Sequence, residues 1–333
     1  MDLVKGMIGP LPVTVRNFSS PAMRAELDRI LQAESFDFVQ IEGVHLSTYL
    51  SVIAAAPGPP RVIADWHNIE SELIHRYAGN LSALAPKRWY AKRTARLVER
   101  LESKLLENCH AHLVCSERER QALLPRAAAA TIRVIENGVD TSTFAPEGHL
   151  PGNVRRNLVF VGSMDYHANI DAVLYFGREV WPQLRQLRPD LRFVVVGSRP
   201  VPEVLALANT PGVEVTGTVE KIAPYYHTAL AAVVPLRVGS GTRLKVLEAM
   251  AAGVPVISTP LGAEGLAVTH DRDLVLAASP AEFVSATLRI SGDAREWTRI
   301  ALSGRQTAQR YDWSRIGASL CEHYCEWSRK ARR

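Results

Sequence analysis

The chain has 333 residues, of which 47% are hydrophobic and 22% charged, with 21 glycines, 20 prolines and four cysteines. These ordinary globular proportions exclude a disordered chain, a collagen-like repeat and a disulfide scaffold, and no apolar run reaches the roughly 18 residues of a membrane span. The net charge of +5 is compatible with an anionic small ligand, an acidic membrane surface or nucleic acid without choosing among them.

Taken in chain order, the opening residues MDLVKGMIGPLPVTVRNFSS lack the apolar core and small-residue cleavage site of a signal peptide. With so few cysteines, the expected location is the reducing cytoplasm. Short β-branched runs then predict strands over Phe38–Glu42, Val62–Asp65, His112–Cys115 and Ile132–Glu136. A helix is predicted from Pro86 to Asn108. It carries Lys87, Arg88, Lys92, Arg93, Arg96, Arg100 and Lys104 with Trp89 and Tyr90 between them. This pattern fits a solvated outer helix or a helix lying on anionic lipid. No nucleic-acid motif accompanies the charge, so nucleic acid is not an expected partner.

The segment Phe144–Asn157, rich in proline, glycine and polar residues, reads as the break between two halves. After it, strands are predicted over Asn157–Gly162, Leu191–Gly197, Val213–Gly217, Ala231–Leu236, Pro255–Thr259 and Asp273–Ala277, with helices over Asn169–Gln186 and Thr242–Ala252. Uninterrupted apolar strands alternating with helices imply parallel sheets covered on both faces, hence an α/β fold of two doubly wound, Rossmann-like domains. Such folds bind ligands at the carboxyl ends of their strands.

The run from Val238 to Ala252, VGSGTRLKVLEAMAA, carries the most chemistry. Gly239, Ser240 and Gly241 leave little side-chain bulk, Thr242 is placed to cap the following helix, and Gly253 to end it. Free N–H groups at a helix start attract anions. Arg243 and Lys245 in the first turn have the wrong sign for the helix dipole unless an anion sits there. Glu248, three residues beyond Lys245, is positioned to accept hydrogen bonds from ribose hydroxyls. The same residues also suit a plain loop, a helix cap and a helix-face ion pair. The GxxxxGK P-loop pattern is absent.

At this point a resemblance emerges. GSGTRLKVLEAMAAGVPVISTPLGAEGL (Gly239–Leu266) resembles the donor-binding core of GT-B glycosyltransferases of family 4, also called group 1. VIENGVDTSTFAP (Val134–Pro146), LVFVGSMDYHANIDAVLYF (Leu158–Phe176), VTGTVEKIAPYY (Val215–Tyr226) and DWHNIE (Asp65–Glu70) extend it. The resemblance implies a first domain over residues 1–150, a nucleotide-sugar domain over 151–310, and a last helix over 311–333 that crosses back to the first.

It also implies roles. Glu248 matches the second glutamate of an E-x7-E pattern and holds the donor ribose. Backbone amides around Ser240–Arg243 hold the diphosphate. Gly217 and Val219 lie at the nucleobase, Gly162 and Ser163 at the turn facing the phosphates, and His67 at the transferred sugar. Ser240 stands where the pattern has its first glutamate, and the Arg and Lys common after the Gly162-type turn are not evident. We therefore expect Arg243 and Lys245 to supply that charge, and name His67, Arg243 and Lys245 as catalytic.

The expected activity is retaining, metal-independent glycosyl transfer from a UDP- or GDP-sugar to a glycan or lipid-linked acceptor, in cell-surface polysaccharide or glycolipid assembly. No cofactor and no metal are expected. A nucleotide-sugar epimerase and an inactive nucleotide-sugar-binding partner subunit stay open as alternatives. Asp271-Arg272-Asp273 spells the DxD metal motif of the other large glycosyltransferase fold, but reads here as turn chemistry. Cys321-x-His323-x-Cys325 reads as helix packing. Compared with family members, the first domain lacks an opening βαβ portion, so that either the true start lies upstream or the acceptor side is reduced. A peripheral membrane contact and a protein partner completing that domain follow as expectations, with an exposed apolar edge near Phe38–Glu42 as the sign.

Overall fold

The computed structural model describes residues 9–79, 81–127, 131–146, 155–239 and 243–331. The chain divides into two compact units, Met1–Glu136 with Glu322–Arg333, and Asn137–Cys321. The sequence reading placed its boundaries at 150 and 310.

The first unit holds a parallel sheet of β1 (Phe38–Glu42), β2 (Arg61–Trp66), β3 (Ala111–Val114) and β4 (Thr131–Val134), in that spatial order. Glu42 of β1 stands directly opposite Asp65 of β2. The helix Pro86–Asn108 has the predicted bounds, and buries Ala91, Ala95, Val98, Leu101, Leu105 and Leu106 on one face. Proline at its first turn suits a start, since the missing N–H would have no intrahelical partner there. Glu102 on the same helix is fully buried, and its charge is met by the backbone N–H and hydroxyl of Ser71, at 3.0 and 2.6 Å, and by Arg126 at 3.0 Å. A buried carboxylate is tolerable only with such donors.

β1 is the edge strand. Residues 38–40 are half-buried and Ile41 is buried. Tyr324, near the end of the last helix, packs edge-on against Phe38 with ring centroids 5.2 Å apart, and its hydroxyl bonds to the Gln40 side chain. The expected bare apolar edge is therefore partly clothed.

The second unit holds six parallel strands: β5 (Asn157–Val161), β6 (Arg192–Val196), β7 (Val213–Gly217), β8 (Ala229–Val234), β9 (Val256–Ser258) and β10 (Val275–Leu276). Their spatial order is β10-β9-β8-β5-β6-β7. The chain winds outward from β5 through β6 and β7, then returns to the other side of β5 for the remaining three. That reversal makes the gap between the carboxyl ends of β5 and β8 a topological switch point, where the two loops diverge and leave a crevice. Side chains of β5, β6 and β8 are buried almost throughout, as a sheet covered on both faces requires.

The single helix predicted over Asn169–Gln186 is instead His167–Tyr175, a π turn at Phe176–Val180, and Trp181–Leu187. Pro182 is the cause, because it has no N–H to bond back to residue 178 and its ring crowds the preceding turn. The helix predicted from Thr242 is observed as Leu244–Ala251, preceded by Arg243, which makes no side-chain cap. Gly253 ends it in the left-handed conformation (φ 67°) with its N–H bonded to Met250.

Candidate functional site

At the switch point lies a cavity of about 330 Å³, walled by Val161 at the end of β5, Gly162 after it, Asn169, and Arg243, Lys245 and Glu248 of the helix start. Helix geometry puts Lys245 and Glu248 on one side, three residues apart. The Lys245 ammonium bonds to the Asn169 side-chain oxygen at 2.7 Å and sits 4.2 Å above the centre of the Phe160 ring. Burial, reinforced by the nearby Arg243 charge and opposed by Glu248, lowers its pKa to about 7. Glu248 accepts a hydrogen bond from the Tyr226 hydroxyl at 3.1 Å. Burial raises its pKa, against the pull of that bond and of Lys245.

Arg243 is only 6% exposed, and its Nε donates to the Leu261 carbonyl at 3.4 Å. Two cations thus stand beside one carboxylate at a helix start whose dipole is itself positive. Such a helix start suits an anion, and a diphosphate is an anion of suitable charge.

The walls stand close to the two glycines. A Cβ on Gly162 would come within 2.7 Å of the Asn169 amide nitrogen and 2.9 Å of the Lys245 ammonium. Gly239 adopts φ 111°, and a Cβ there would meet Ala168 at 3.2 Å.

Of the predicted donor residues, Gly162, Arg243, Lys245 and Glu248 line the cavity, and Gly239 adjoins it. Ser240, Gly241 and Thr242 lie outside the described residues. Ser163, Gly217 and Val219 do not line it. The Ser163 hydroxyl turns away to donate to Asp165 at 2.6 Å and accepts from Arg199 at 3.2 Å. Gly217 ends β7 and Val219 follows it, two strands away from β5, and Val219 packs against the core. The loop after β7 reaches the cavity through Ile222 instead.

Sequence reading missed Asn169 and Tyr226. Asn169 replaces charge in the turn after Gly162 by holding the lysine, and its amide nitrogen donates to the Ser163 carbonyl at 2.9 Å. Its signal was a polar residue on the apolar side of a helix, 8% exposed once folded.

In the first unit, His67 follows β2, with its Nε2 3.0 Å from Glu42. Glu42, Asp65 and His67 bring their donor atoms within 4.8 Å of one another, close enough for one cation to reach all three. The Gln40 amide bridges the two carboxylates, donating to Glu42 at 2.6 Å and to Asp65 at 3.0 Å. Burial, then repulsion by Glu42, pushes the Asp65 pKa up to about 6, with His67 opposing. Glu42 and Gln40 were not anticipated, because they come from β1 and meet His67 only through strand pairing.

The DxD triplet is a turn: Asp273 is buried, accepts from the Thr269 N–H at 2.9 Å and from Ser303 and Thr307, and pairs with Arg272. Cys321 and Cys325 are exposed free thiols, and His323 stacks on Trp327.

Comparison with known proteins bears on this geometry. The family described as Glycosyltransferase Family 4 matches residues 3–143, and that described as Glycosyl transferases group 1 matches residues 155–293. Glycogen synthase of Mycobacterium tuberculosis is 26% identical over 250 residues, covering 71% of this chain and 59% of its own. The chain spans about half the length of the curated relatives it matches. Among solved structures, sucrose-phosphate synthase from Thermosynechococcus elongatus superposes with a TM-score of 0.69 at 21% identity, over 95% of this chain and 77% of that one. Anabaena Alr3699/HepE in complex with UDP gives 0.67 at 14% identity, over 92% and 82%. At these identities the likeness establishes the fold, GT-B. With one family matching each unit, the chain belongs to the family 4, group 1 glycosyltransferases.

Proposed function

We propose that this protein transfers a glycosyl group from a nucleoside-diphosphate sugar to a glycan or lipid-linked acceptor, with retention and without a metal, at the cytoplasmic side of cell-surface polysaccharide or glycolipid assembly. One observation carries the reading: Arg243 and Lys245 line the switch-point cavity at the start of a helix, with Glu248 one turn on. The UDP complex of Anabaena Alr3699/HepE, a relative in fold, supports a UDP-type donor. In this reading the sugar C1–phosphate bond breaks as the acceptor oxygen bonds C1 on the same face, and the acceptor proton passes to the leaving phosphate. Charge growing on the diphosphate is met by the guanidinium, the ammonium and the helix start, groups already oriented before reaction. Those cations do the work that a metal ion does elsewhere.

Calorimetric titration with UDP, GDP and ADP and their sugars tests donor binding, and nucleotide release with acceptor extracts tests transfer. Arg243→Ala is expected to weaken nucleotide binding about tenfold, the scale of one charge-assisted hydrogen bond. An unchanged dissociation constant removes the cavity from the donor site. Turnover that survives EDTA is expected, whereas loss restored by a divalent ion rejects the metal-free mechanism. The presence of Ser240 at the first E-x7-E position favours one rival, a binding subunit, and nucleotide binding with no turnover on any acceptor supports it.

A further inference from the structure

The outer face of the helix Pro86–Asn108 has no part in either residue cluster described above. Its apolar face is buried, so the helix cannot lay that face into a bilayer, as a free amphipathic helix would. What remains outside is a row of Lys92, Arg96, Arg100 and Lys104, each exposed and spaced four residues apart along one stripe. The acids of the helix do not neutralise this row. Glu99 pairs with His75 at 2.9 Å, and Glu102 is buried against Arg126 at 3.0 Å. Glu107, one turn beyond Lys104, is the one exposed acid of the helix without such a partner among the described residues.

At the amino end of the stripe, Trp89 is 62% exposed, and Leu84 in the preceding loop is 94% exposed. Large apolar side chains at such exposure beside exposed cations suit the headgroup boundary of a membrane, where an indole ring and a leucine reach the acyl region while cations meet phosphates. No helix among the described residues is long and apolar enough to cross a membrane.

We propose that this face docks the protein on an anionic lipid bilayer, with Lys92, Arg96, Arg100 and Lys104 on the headgroups and Trp89 and Leu84 dipping beneath them. The inference does not rest on the transferase reading, since it concerns a surface and not the chemistry. A nucleic acid would also answer the charge. A base would stack on Trp89, but it has no use for the 94% exposed Leu84, whereas both side chains suit the acyl boundary of a bilayer.

The test is co-sedimentation of the full chain with vesicles of phosphatidylcholine containing about 30 mol% phosphatidylglycerol, against phosphatidylcholine alone. Binding is expected only to the anionic vesicles, and to be released by about 0.5 M salt. Lys92→Gln/Arg96→Gln/Arg100→Gln is expected to lower the partition coefficient about a hundredfold, roughly fivefold per cation. Lipids brominated in the acyl chains are expected to quench tryptophan fluorescence in the parent and to lose most of that effect in Trp89→Phe. This second readout stands if the triple variant folds poorly. Equal binding to uncharged vesicles, a folded triple variant that partitions like the parent, or binding to an oligonucleotide with none to vesicles overturns the proposal.

Discussion

Lys245 holds its proton under strain of environment, because burial and Arg243 both favour the neutral amine. The sign of the resulting pH dependence follows from linkage. Its pKa is about 7 in the folded protein against 10.5 as the ordinary value, so the unfolded chain binds more protons between those two limits. Stability must therefore rise with pH across that window as the cost of the buried charge is relieved, and that cost is fully present below it. Lys245→Met is expected to remove this component. Urea unfolding at several pH values should show the parent gaining on the variant from neutral to alkaline pH, and a constant difference would contradict the assignment. An anion in the cavity reverses the preference. Nucleotide binding above neutral pH is expected to take up a proton, measurable as a dependence of calorimetric heat on the buffer's ionisation enthalpy and absent in Lys245→Met. Glu248→Gln keeps a side-chain oxygen for the Tyr226 hydroxyl, so its melting temperature should change little. Its nucleotide affinity should fall about tenfold if a ribose donates to the carboxylate.

The decisive element is the pairing of β5 with β6 and the turns that follow them. Gly197 ends β6 so close to the neighbouring turn that a Cβ there would lie 1.7 Å from the Gly162 carbonyl oxygen and 2.8 Å from its carbon. Both are backbone atoms, so nothing can swing aside. Gly197→Ala is expected to destabilise the second unit by about 3 kcal/mol, the upper part of the range for overpacking. It should also weaken nucleotide binding, because the displaced Gly162 faces Asn169 and Lys245. A variant that melts with the parent would show that the close approach is not enforced. Element boundaries were legible where the cause was local. The Pro86–Asn108 helix starts at a proline and carries a clear apolar stripe. The His167–Leu187 stretch also looks continuous by periodicity, yet contains a π turn, because the effect of Pro182 on the turn before it does not appear in the apolar pattern.

On the scale of the whole molecule, the last residues matter to the first sheet. The Arg61 guanidinium bonds to the Trp327 carbonyl, and Tyr324 packs on Phe38. Removing residues 322–333 is expected to expose β1 and β2 while leaving the second unit's sheet intact. Hydrogen exchange should quicken over Phe38–Glu42 and stay slow over Asn157–Val161. Equal acceleration in both would mean that the two units do not respond separately.

The sequence by itself determined the α/β class, the ten strands within a few residues, and the helix that carries Lys245 and Glu248. Each of these depends on spacing along a few turns of chain. Lys245 and Glu248 could be named together because a helix sets them on one side. Only the tertiary structure decided what meets them. Asn169 reaches Lys245 from another helix, and Tyr226 reaches Glu248 from the short helix Ala223–His227 beyond β7. In the same way Glu42 stands opposite Asp65 only because β1 pairs with β2 in that register, which also brings it 3.0 Å from His67 just beyond β2. Ser163, Gly217 and Val219 stand off the cavity wall for the converse reason. Strand order and side-chain direction are properties of the assembled sheet, fixed by burying apolar faces from distant segments at once, and local spacing carries no record of them.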